Sequence, residues 1–318
     1  MARSHLTLAA LATAAVGGLD VATAMSFGRA NGDFDACLIT TREGRHLLVR
    51  VPRTERAEAA QSTDLVGLRA LSAGVRARLP FGIPTPIGQA PIDGTRAVVY
   101  EFVYGAKVAL NALGSGPGSV AASIGSAIAA IHALPTGFVA DAGLPTLSAG
   151  QCLQAGIEII DRASATGLVP AALLGRWERA AQDANLWQFQ PTVTNGALST
   201  ESFLSADGEV TGILGWGMLR VADPAHDLAW LGPNPAAAET AFASYLSGRG
   251  AIDRHVRQRA MFYAELEVAK WLLHGTDTRS TEIVDDAVTM LTSLVDSVRN
   301  DVMNPIGTHT MPTMAMPA

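Results

Sequence analysis

Apolar residues recur along this chain with two different periods. In the N-terminal third they fall in short runs, Val21 to Phe27, Ala36 to Thr41 and His46 to Val51. Turn-rich stretches, Gly28 to Asp33 and Arg42-Glu43-Gly44, separate them. Short runs bounded in this way predict an antiparallel meander. Pro52 ends the third run because it has no amide to give to a ladder. Glu55 to Ala73 then keeps helical spacing through Leu65, Leu68 and Leu71. Pro80, Pro84 and Pro86 break regularity, the turn Asp93-Gly94 leads into a strand from Arg96 to Val103, and Gly105 closes it.

From Ser119 onward the period becomes helical. Helices are predicted over Val120 to Leu134, Ala149 to Thr166, Pro170 to Trp187, Ala236 to Leu246, Arg254 to Leu273 and Thr281 to Val302. A strand–turn–strand unit interrupts them, with Ser205-Ala206-Asp207-Gly208 as its turn and Glu209 to Leu214 as its second strand. A β-rich N-terminal part before a helical remainder is an α+β, two-lobed plan. Residues 1–104 are assigned to the N-lobe, and 105–303 to a helical C-lobe holding the hairpin. Residues 304–318, rich in Pro, Met and Thr, are expected to be a disordered tail. At the other end, Leu6 to Val16 with one preceding Arg3 mimics a secretory leader, but Gly17-Gly18 and the strand-like sequence that follows favour a first helix, Leu6 to Ala15.

Composition narrows the partners. Of the 318 residues, 48% are apolar and 16% charged, which describes a globular chain and excludes a disordered one. The net charge is −6 and no Lys/Arg run appears, which argues against nucleic acid or an anionic membrane surface. No apolar stretch reaches the ~20 residues that span a bilayer. A cytoplasmic protein is expected. Cys37 and Cys152 have no metal-type spacing, so two reduced, buried thiols are expected.

Three stretches carry candidate chemistry. The first is Thr194-Asn195-Gly196-Ala197-Leu198-Ser199-Thr200-Glu201-Ser202-Phe203-Leu204. The second is Gly212-Ile213-Leu214-Gly215-Trp216-Gly217 and the third Val221-Ala222-Asp223-Pro224-Ala225-His226-Asp227-Leu228-Ala229. Their order and spacing resemble the aminoglycoside and macrolide phosphotransferases, which carry H-G-D-L-x-x-x-N-x-L, a hairpin, I-D-W-G and D-P-x-x-D-L-A. The resemblance extends over residues 20 to 300. It implies a protein-kinase-like fold, with a small antiparallel β N-lobe, a larger mainly helical C-lobe, and ATP held between them.

Carried over residue by residue, the resemblance places Arg50 at the phosphate-contacting strand Lys and Asp64 at its helix Glu. An ordinary solvent-facing ion pair is the other reading of these two. Glu101 and Val103 fall in the hinge, and the resemblance sets Gly28 to Asp33 at the phosphate-covering loop, although it is not a G-x-G-x-x-G. Asp223 and Asp227 read as structural groups that bond loop amides. His132, Trp230 and Lys270-Trp271 read as packing positions.

The catalytic positions depart from the pattern. Ala197 stands where the family has the carboxylate that orients the acceptor hydroxyl, and a methyl group accepts no proton. Asn195 replaces the loop His. The two magnesium-ligand positions hold Ser202, which is uncharged, and Gly215, which has no side chain. Neighbouring Glu201 and Asp207 are the carboxylates that would have to compensate. The expectation is therefore a pseudo-kinase that retains an ATP cleft, has lost or weakened phosphoryl transfer, is poorly equipped for Mg²⁺, and binds a small molecule, a nucleotide or a protein partner. The alternative is an active ATP-dependent kinase with an atypical metal site, acting on a hydroxyl of an antibiotic or metabolite.

Overall fold

Ser4 begins the first helix by accepting the Thr7 amide on its hydroxyl. The structure is a computed structural model that describes residues 3–28, 32–250, 253–299 and 306. The expected tail therefore lies outside the described residues except for Ile306, and so does the middle of the Gly28 to Asp33 loop. Helix α1 (His5–Ala15) buries Leu8 and Ala12, four residues apart and so on one face. That face packs on a five-stranded antiparallel sheet together with Cys37, Ile39, Leu47, Val49 and Val51.

The strands are β1 (Val21–Ser26), β2 (Phe34–Thr41), β3 (His46–Pro52), β4 (Pro86–Ile92) and β5 (Thr95–Glu101), in the order β1-β2-β3-β5-β4. In β2 and β3, alternate residues point under α1, and those between them, Ala36, Leu48 and Arg50, face the opposite side. Strand β5 is buried on both faces from Ala97 to Tyr100, because α1 covers Ala97 and Val99 while the other core takes Val98 and Tyr100. Pro80, Pro84 and Pro86 predict irregular chain, yet β4 forms there. It is an edge strand, with Pro86 as its first residue, and an edge tolerates prolines that a central strand would not.

Helix α2 (Glu55–Ala70) is capped by the Thr54 hydroxyl and stops before the expected Ala73. Arg76, in the short α3 (Ala73–Arg76), explains the break. Its guanidinium donates to the carbonyls of Leu68 at 2.8 Å and Leu71 at 2.6 Å, and also to those of Ile83 and Pro84. One side chain thus satisfies carbonyls that a continued helix would have used.

The rest is mainly helical, as expected. It comprises α4 (Val120–His132), α5 (Gly137–Asp141), α6 (Ala149–Ala165), α7 (Ala171–Gln182), α8 (Pro235–Arg249), α9 (Val256–Thr278) and α10 (Thr281–Arg299). Small strands are set among them. β6 (Ala106–Lys107) pairs with the hairpin β8 (Phe203–Ala206) and β9 (Glu209–Ile213), and β7 (Thr192–Thr194) pairs with β10 (Arg220–Ala222). The hairpin turn has Asp207 at φ 51° and Gly208 at φ 83°, the pair of positive values that a two-residue type I′ turn requires. Asp207 is thus a turn residue. Both cysteines are free and buried, and no described helix is long and apolar enough to cross a membrane. The result is the two-lobed, kinase-like α+β plan.

Candidate functional site

The sheet face opposite α1 and the C-lobe hairpin enclose a cavity of about 640 Å³. Its wall is apolar at Ala36, Leu48, Pro84, Phe102, Leu204 and Leu214, and charged groups ring it. Leu48 and Arg50 enter it because they share the face of β3 that α1 does not cover. Four of the residues singled out from the sequence, Arg50, Asp64, Glu101 and Val103, line this cavity, and Gly215 closes it from the other side. The loop before β2 contributes Gly28, Gly32 and Asp33.

Arg50 lies over the Phe34 ring, 3.8 Å from its centroid. Burial pushes its guanidinium below the usual range, against the pull of Tyr100 and Asp64. Asp64 does not close an ion pair on it. Its Oδ1 instead accepts the Trp216 backbone amide at 2.5 Å, bridging α2 to the segment after β9. Burial raises the Asp64 carboxyl, while that amide and Arg50 act to lower it. A solvent-facing Arg50–Asp64 pair is therefore not what forms.

The loop before β8 is held by one buried carboxylate. Asp227 accepts the amides of Asn195 and Gly196, each at 2.8 Å, and pairs with His132 Nε2 at 3.2 Å. His132 Nδ1 is in turn 3.0 Å from the Tyr245 hydroxyl. Burial alone would raise the Asp227 carboxyl, but the His132 hydrogen bond and charge and the Gly196 amide hold it below its ordinary value. Asn195 is fully buried and donates from Nδ2 to the Gly215 carbonyl at 2.8 Å, while its Oδ1 accepts the Ala197 amide. It ties two loops together, with its Nδ2 and its Oδ1 each holding one of them. Asp223 forms a second buried centre. It accepts Arg259 Nε at 2.7 Å and Nη2 at 3.1 Å, and Arg259 also reaches Asp253.

Ala197 is exposed on the loop. Ser202 is buried, and its hydroxyl accepts the Ser199 amide at 3.2 Å in a reciprocal cap. Gly215 has φ 73°, and nothing lies within 4 Å of where a Cβ would stand. Glu201 lines the cleft but is ion-paired with Lys107. No group of three or more His, Cys, Asp or Glu able to hold a metal occurs among the described residues. The donors left at these positions do not fit a magnesium ion. Phe34 and Lys107 escaped the sequence reading. Phe34 is two positions from Ala36, the cross-strand partner of Arg50, so a known β2–β3 register would have placed it on the Arg50 face.

Solved structures share this architecture. A macrolide 2′-phosphotransferase, MphH from Brachybacterium faecium, matches with a TM-score of 0.71 and 21% identity, over 90% of this chain and 96% of its own. A type I macrolide 2′-phosphotransferase gives 0.66 and 23%, over 92% and 98%. The GDP complex of wild-type aminoglycoside 2′-phosphotransferase-IIIa gives 0.70 and 18%, over 94% and 100%. At these identities the likeness establishes the kinase-like fold. No curated protein sequence matches the chain. The sequence profile described as the phosphotransferase enzyme family matches residues 27–262, a span that holds the cleft, the loop before β8 and the Asp227 anchor, and the chain belongs to that family.

Proposed function

We propose that this protein holds a nucleotide, with ATP as the first candidate, in the cleft between its lobes and has lost or strongly weakened phosphoryl transfer. One observation carries the reading. The frame around the reaction centre is intact, while Ala197, Ser202 and Gly215 offer it neither a base nor a metal carboxylate. Nucleotide complexes among the structural relatives, with GDP and with ADP, support the assignment of the cleft. So does its shape. An apolar slot of 640 Å³ beside hinge residues Glu101 to Val103 suits a purine, and Arg50 supplies a cation for phosphates.

Chemistry is where this cleft falls short. A positioned general base contributes roughly 10² to 10⁴ in rate, and Ala197 contributes none of it. Phosphoryl transfer otherwise relies on placement and on charge neutralisation, the part that a metal ion supplies when bound. Here Arg50 remains to offset phosphate charge, which stabilises a bound nucleotide without selecting its transition state. The expected result is no magnesium-dependent transfer to aminoglycosides, macrolides or simple sugars, read with labelled ATP. Transfer that persists in a Glu201→Ala, Asp207→Ala double variant would sink the reading.

The second reading, an active small-molecule kinase with an atypical metal site, has one observation in its favour. Asp64 hangs its carboxylate on the Trp216 amide, beside the position where Gly215 lacks one. It predicts magnesium-dependent ATP consumption that an acceptor alcohol stimulates and that Asp64→Asn abolishes.

A further inference from the structure

A second cavity of about 230 Å³ lies in the C-lobe, on the other side of the loop before β8 from the nucleotide cleft. Gly196 borders it, and none of its lining residues is shared with the cleft. Its wall brings together Arg220 from β10, His226 from the 3-10 turn that follows, and Lys270 and Glu267 from α9. Cys152 and Tyr263 line it as well.

The charges in this wall are unevenly matched. Lys270 is paired with Glu267 three residues before it. Asp223 is taken up by Arg259 and by the Tyr263 hydroxyl, which donates to it at 3.1 Å. Among the described residues Arg220 has no carboxylate partner, and its Nε is buried without a hydrogen bond. That nitrogen is 3.2 Å from where a Cβ on Gly196 would stand, so it is pressed against the loop. His226 Nδ1 is likewise buried and has no hydrogen-bond partner among the described residues, and the ring packs edge-on against Tyr263 at 5.3 Å. Burial, then Arg220 and Lys270, push this imidazole below its ordinary value despite Asp227 and Glu267, so it is held neutral. A buried guanidinium N–H with no acceptor costs roughly 1–3 kcal/mol, and a ligand oxygen entering this cavity would offset it.

We propose that this cavity is a binding site for a small oxyanion, a carboxylate or phosphate group, with Arg220 as its counter-charge and His226 as a hydrogen-bonding wall. The volume agrees with a small ligand. It falls below the ~300 Å³ at which pockets begin to enclose drug-sized molecules. Against a polycationic ligand stands Arg220, since both carboxylates of the wall, Asp223 and Glu267, already have cationic partners. This inference stands apart from the nucleotide reading, since it uses no residue of the cleft.

The test is equilibrium binding of malonate and of inorganic phosphate to the full chain at constant ionic strength, with putrescine as the cationic comparison. Arg50→Gln is the background that disables anion binding in the nucleotide cleft. Saturable binding of either oxyanion should survive Arg50→Gln, and the better of the two identifies which oxyanion the site prefers. It should weaken about tenfold in Arg220→Gln, the loss expected for a charge-assisted bond. Arg220→Lys, which keeps the charge, should recover part of it and guards against a folding defect in the glutamine variant. Binding that vanishes in Arg50→Gln, that is equal in wild type and Arg220→Gln, or that favours putrescine would overturn the proposal. So would failure of both oxyanions to bind.

Discussion

Gly215 is the residue where sequence and geometry speak most directly to each other. Its φ of 73° is a left-handed conformation, and the direction of its absent Cβ is open. Asp is among the few non-glycine residues that visit this region, at a cost of roughly 1–2 kcal/mol. Gly215→Asp should therefore fold, with a small drop in melting temperature, and should make nucleotide affinity magnesium-dependent where the parent shows no dependence. Combined with Ala197→Asp it should restore measurable transfer. A double variant that binds magnesium and ATP but remains inert would place the remaining defect at the acceptor side. Asp227 gives a second prediction at this scale. Its carboxyl is held below the ordinary 3.8, so its contribution to stability is complete above that pH and is lost as pH falls through the lower folded value. Asp227→Ala should remove that acid transition. It leaves the amides of Asn195 and Gly196 without an acceptor, at about 1–3 kcal/mol each, readable by denaturant titration at neutral pH.

Among the elements, α2 carries the most information about the cleft. Asp64 joins it to Trp216, and Gly67 lets it approach that same segment so closely that a Cβ would stand 1.9 Å from the Trp216 carbonyl. Gly67→Ala should push α2 away, costing roughly 1–3 kcal/mol as other overpacked contacts do, and should weaken nucleotide binding measured by titration. A variant with unchanged stability and affinity would show that α2 has room to shift. These contacts also mark where the sequence stopped being legible. The catalytic-loop register, the hairpin and the helices could be read because motif spacing and period are local. Strand β4 could not, since its prolines are tolerable only at an edge, and edge position is a property of the whole sheet. The break after Ala70 depends on Arg76 reaching back to Leu68 and Leu71. The Asp64–Trp216 bond joins residues 152 apart in sequence. Ala197, Ser202 and Gly215 are legible as positions, but the contacts around them are not: nothing in the sequence says that Ser202 caps Ser199 or that Asn195 bonds across two loops.

For the molecule as a whole, the reading proposed above is of a retained frame around an altered centre. The Asp227–His132–Tyr245 chain is buried, the Asp223–Arg259 pair is buried with half-buried Asp253 at its edge, and together they fix the loops on either side of the centre. Such networks are costly when half-satisfied, so their completeness fits a fold that still positions these loops. The most direct test of a nucleotide cleft without metal-dependent chemistry is an ATP titration of thermal stability, run once with magnesium and once with EDTA. A ligand at 100 times its dissociation constant adds about 2.7 kcal/mol, enough for a clear rise in melting temperature. A saturable rise of the same size is expected in both titrations, whereas a rise that appears only with magnesium would contradict a cleft without metal-dependent chemistry.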